Sequence, residues 1–81
     1  MTPAALHLET MARAGDARAL DPELIAAVPV EDIAELIGLI ADLSMDCLYD
    51  GHDQRWLICD RLLEALCERR LAGLRMRVCR P

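Results

Sequence analysis

Few groups in this sequence are reactive: four cysteines, two histidines, one serine, two threonines and a set of carboxylates. The cysteines stand at 47, 59, 67 and 79. Zinc sites draw ligands from close pairs such as C-x2-C, and no such pair is present. Cys59 and Cys67 fall on one expected helix, about 12 Å apart along its axis and beyond disulfide reach of each other. The spacing therefore predicts reduced, buried thiols that pack as small hydrophobes. Asp46, Asp50, His52 and Asp53, with Cys47, could surround a divalent ion. Their spacing matches no standard site, however, and turn and capping chemistry accounts for Asp50, Gly51 and Asp53 without one. No metal and no cofactor is expected. A nucleophile pair of Cys47 and His52 is disfavoured, because the thiol points toward the expected core and the imidazole lies in a loop.

Hydroxyl chemistry is equally sparse. Ser44 is the only serine and sits among apolar residues, where it can bond back to the carbonyl of Ile40. Glycines 15, 38, 51 and 73 are scattered, so no phosphate-cradling loop exists. The inventory predicts a binding protein rather than an enzyme.

Charge is distributed unevenly. Residues 1–68 hold all fourteen acids and four arginines, a net charge of −10, whereas residues 69–81 hold five arginines and no acid, a net +5. Between Arg18 and Arg55 nine acids occur without a single base. Glu31, Asp32, Glu35, Asp42, Asp46, Asp50 and Asp53 are accordingly the candidate partner-binding residues, and a protein with a basic surface is the expected partner. Size and charge are those of small acidic inhibitors that present carboxylates in place of phosphates, anti-CRISPR proteins among them. That comparison rests on charge and size alone. A solvated face that only keeps the chain soluble is the bland alternative. Arg75, Arg77 and Arg80 could make tail contacts by folding back on the acids or pairing with a partner. Direct nucleic-acid binding is not expected, since the molecule is acidic overall and has no aromatic stacking platform.

The segments that carry these groups read as helices. Thr2-Pro3 starts a first helix that Gly15 can end, with a thin apolar face of Ala4, Leu8, Met11 and Ala12. Asp21-Pro22 starts a short second helix over 22–28, stopped by Pro29. A third runs from Val30 to Tyr49, with Ile33, Leu36, Ile37, Ile40, Leu43, Ser44, Cys47 and Leu48 on one face and Glu31, Glu35, Asp42 and Asp46 opposite. A fourth begins at an Asp53 cap and runs to Ala72, before Gly73; its apolar arc holds Ile58, Cys59, Leu62, Leu63, Ala65, Leu66 and Cys67. The expected fold is all-α, three to four helices around a central antiparallel helical hairpin. Residues 1–73 form the helical domain. Residues 74–81 form a basic, strand-like tail, because Leu74-Arg75-Met76-Arg77-Val78 alternates apolar and basic; no other segment reads as a strand to pair with it, so fraying, continuation of the helix or pairing outside the chain are the alternatives.

An 81-residue chain makes one domain of marginal stability. Hydrophobic residues reach 54% but aromatics only 2%, so aliphatic side chains must build the core. Trp56, Leu57 and Leu71 are left as exposed apolar anchors, which makes a homodimer or homo-oligomeric adaptor subunit the second functional reading. A thiol or metal protein using Cys47, Cys59, Cys67 and Cys79 is the third. No signal-peptide pattern opens the sequence and no apolar run is long enough to span a bilayer, so a cytoplasmic location without membrane contact is expected. All nine basic residues are arginine, which reads as a GC-rich coding sequence of bacterial or phage origin. The preferred function is a non-enzymatic regulator or inhibitor that binds a protein through the acidic face of the third helix.

Overall fold

The computed structural model describes residues 1–51 and 53–78, with side chains through Gly73. Among the described residues there are four α-helices, one 3₁₀ turn and no strand: α1 (Pro3–Arg13), the 3₁₀ turn (Ala17–Leu20), α2 (Pro22–Ala26), α3 (Val30–Asp50) and α4 (Asp53–Val78). No helix is long and apolar enough to cross a membrane among these residues.

Backbone chemistry explains the boundaries. Thr2 is extended and Pro3 occupies the first helical position, where its missing N–H costs nothing. At the other end of α1, Gly15 takes a left-handed φ of 71°. Its N–H donates to the Ala12 carbonyl and that of Asp16 to the Met11 carbonyl, at 3.1 and 2.9 Å, which closes the helix end. Asp16 then accepts from the Arg18 N–H and opens the 3₁₀ turn, an element the sequence reading lacked. Asp21 accepts from the Glu23 N–H at 3.0 Å and caps α2. Gly51, with φ of 74°, ends α3 by donating to the Cys47 carbonyl.

Leu8, Val28, Leu36, Ile40, Cys59, Leu62 and Leu66 are fully buried and form the centre of the core. Cys47 near the end of α3 lies beside Cys59 near the start of α4. Further along α4, the Arg69 guanidinium donates to the carbonyl of Ile25, which precedes α3. α3 and α4 pack directly on each other through their buried side chains. The α1 helix packs on one side of this pair through Ala5, Leu8, Met11 and Ala12, so Ala5 takes the inward place expected of Ala4.

Three expectations need correction. Leu48, assigned to the buried face, is 59% exposed, because it stands about 100° around α3 from Cys47 and none of the described elements covers it. Cys67 is exposed, although Cys47 and Cys59 are buried thiols as the spacing implied; Cys79 lies outside the described residues. The fourth helix does not stop at Gly73 but continues to Val78, so residues 74–78 are helical where alternation predicted a strand. An isolated strand would leave a row of N–H and C=O groups without partners, whereas a helix satisfies them internally. The glycine weakens the helix there by roughly 1 kcal/mol without breaking it.

Candidate functional site

The acidic strip is built by the regularity of α3. Its 21 residues turn 100° each, so positions three or four apart share a face. With Leu36, Ile40, Leu43 and Cys47 turned inward, Glu31, Glu35, Asp42 and Asp46 come out on the opposite side, and all four are exposed. Asp50 and Tyr49 extend the strip to the end of the helix, where Tyr49 is 83% exposed. Its length from Glu31 to Asp50 is roughly 28 Å at 1.5 Å per residue.

No base neutralises it within the described residues. The ion pairs there are Arg13–Glu9 and Arg18–Asp16, each 2.7 Å long and neither on α3. Glu31–Glu35, Asp42–Asp46 and Asp46–Asp50 are like-charge pairs four residues apart, each costing ~0.2–0.5 kcal/mol. Asp50 adds a negative charge to the helix end whose dipole is already negative.

Asp32 does not belong to the strip. It faces α1, is 9% exposed, and its carboxylate accepts the Thr2 backbone N–H at 2.8 Å. That N–H holds the Asp32 carboxyl below its ordinary value. The Thr2 hydroxyl itself is buried without a hydrogen-bond partner among the described residues. Asp32 is thus a clasp between the start of α1 and the start of α3, and no sequence signal set it apart from the other acids of the helix, because only the position of α1 decides which of them it covers. Asp53 is also displaced. It is the first residue of α4 rather than its cap, on the rim of a shallow cleft with Ala14, Gly15, Gly51, Gln54 and Arg55. His52 and Arg80 lie outside the described residues, as do the side chains of Arg75 and Arg77.

The Cys59 thiol offers little chemistry at neutral pH. Burial first, and the Cys47 thiol beside it second, push Cys59 up to about 11. A thiol held protonated is neither a nucleophile nor a metal ligand. Among the described residues no three of His, Cys, Asp and Glu come together as a metal set.

Sequence reasoning missed a second feature of α3. Beside the acidic strip, on the flank turned away from α1, Val30, Ala34, Ile37, Ala41 and Leu48 form an apolar line whose two ends are exposed. The signal was present: these positions repeat at spacings of four and three, offset from the core set. No protein-family model, curated protein or solved structure matches the chain.

Proposed function

We propose that the protein is a non-enzymatic regulator that binds another protein through the outward strip of α3. Glu31, Glu35, Asp42, Asp46 and Asp50 meet a basic surface, and Tyr49 serves as the apolar anchor among them. The observation that carries this reading is the placement of exposed carboxylates along one helical face without basic neighbours among the described residues. Charge spread for solubility alone has no need to be gathered on one helix against its own repulsion. Binding to a cationic groove removes that repulsion. Steering by such a field raises association rate and specificity more than affinity, while an exposed aromatic side chain at the strip's end supplies the burial typical of an energetic centre. The concrete form we favour is an inhibitor that occupies the groove of a nucleic-acid-binding protein, its carboxylates standing where phosphates would lie, as in anti-CRISPR-like inhibitors.

The test compares wild type with the Asp42→Arg/Asp46→Arg variant as bait in a bacterial lysate, washed at low and high salt. The expected result is a basic, nucleic-acid-binding protein retained by wild type, released by salt, and absent from the variant at equal helicity. Identical proteins retained by both baits would refute the assignment.

A further inference from the structure

The contacts named above between the α3–α4 pair and the elements before it leave one flank of the pair open among the described residues. Asp32 meets Thr2, Arg69 meets Ile25, and a Cβ on Gly15 would stand 3.1 Å from the Arg55 side chain. On the open flank nothing within the described residues covers the two helices. There Val30 is 64% exposed, Leu48 59%, Leu71 51% and Trp56 36%, with half-buried Ile37 and Leu63 between them. Together with Met45 at the border, these side chains expose on the order of 500 Å² of mostly apolar surface, at the upper end of what a monomer ordinarily shows. A stable dimer takes about 800 Å² from each partner, near 60% of it apolar, so the face is about the size one half of a dimer needs.

Charge identifies the occupant. On α4 the seam of this face runs Trp56, Asp60, Leu63, Cys67, Arg70, at alternating spacings of four and three. Asp60 is half-buried, Arg70 is exposed, and neither makes an ion pair among the described residues. They lie equally far from position 65, on opposite sides. We infer that a second copy of this chain covers the face, with α4 antiparallel to its counterpart about a two-fold axis at the level of residue 65. That axis sets Asp60 of each copy against Arg70 of the other, and Leu63 against Cys67, each contact made twice as an isologous interface requires. The two α3–α4 pairs form a four-helix bundle with the smaller elements on its outside. The acidic strip of α3 is not part of the seam, so this assembly stands or falls independently of the partner-binding reading.

Sedimentation equilibrium of the purified chain and of two charge reversals decides the matter, with helicity checked by circular dichroism. Wild type is expected as a dimer. Asp60→Arg and Arg70→Asp each replace two attractions by two repulsions and should raise the dissociation constant roughly 10- to 100-fold. An equimolar mixture of the two variants should recover a dimer of wild-type tightness. Across that mixed dimer position 60 of each copy again meets the opposite charge at position 70 of the other. The double reversal Asp60→Arg/Arg70→Asp should recover the same tightness with a single kind of chain. A monomeric wild type at its highest soluble concentration overturns the inference. So do single reversals that dimerise as tightly as wild type, or a mixture no tighter than its components.

Discussion

Replacing Asp46 with arginine should stabilise the fold while removing a charge that the proposed binding uses. Asp46 is exposed in the interior of α3, four residues after Asp42 and four before Asp50. The substitution removes two like-charge pairs and creates two attractive ones, each of the four changes contributing ~0.2–0.5 kcal/mol. Arginine preceding aspartate is the less favourable orientation, so about 1 kcal/mol is the expected net gain. For a chain of 81 residues, ~1 kcal/mol moves Tm by roughly 4–8 °C. Asp46→Asn, which only removes the repulsion, should give about half of that. Thermal melts followed by circular dichroism should show the gain near 0.01 M salt. It should largely vanish near 1 M, where the screening length falls from about 30 Å to about 3 Å. An Asp46→Arg variant that melts at or below wild type in low salt contradicts this account. It would mean that the strip is already neutralised within the molecule.

Core and turn positions give sharper contrasts. Leu62→Ala at a fully buried site should cost ~2–5 kcal/mol in a urea titration, whereas Leu57→Ala, at a 46% exposed site, should stay within about 0.5 kcal/mol. Gly15→Ala and Gly51→Ala both force a side chain into the left-handed region at about 1 kcal/mol. Only at Gly15 does the new Cβ also press on Arg55, so Gly15→Ala should be the more damaging, and the excess should shrink in an Arg55→Ala background. The Asp32 carboxyl titrates lower in the folded chain than its ordinary value of ~3.9, so its stabilisation is present above that value and lost as pH falls through the folded one. Asp32→Asn should therefore melt below wild type at neutral pH, and the gap should close in acid; a gap that persists unchanged at low pH contradicts the clasp. Alkylation followed by mass spectrometry should modify Cys67 in dilute native protein while Cys47 and Cys59 react only on unfolding. Equal rates at all three would contradict their burial.

Much of this architecture was legible because it depends on local rules. Proline at the first helical position, aspartate before Pro22 and glycine after the last turn mark α1, α2 and α3 whatever surrounds them, and the spacing of Ile33, Leu36, Ile40, Leu43 and Cys47 places the acids of α3 outward by geometry alone. What was misread depends on neighbours. Leu48 and Cys67 satisfy the helical pattern of a core residue, but burial needs an opposing element, and none of the described elements reaches that flank. Alternation over 74–78 looks like a strand only if something can pair with it; with no strand among the described residues the backbone stays helical.

The helical class, the aliphatic core alphabet and the carboxylates on the outer side of α3 could be read before any fold was known, since each follows from residue type and a 3.6-residue period. Two outcomes could not: which of those carboxylates is a clasp, and that Cys47 and Cys59 face one another. They depend on where α1 and α4 lie relative to α3. Long-range packing fixes that, and no local pattern encodes it.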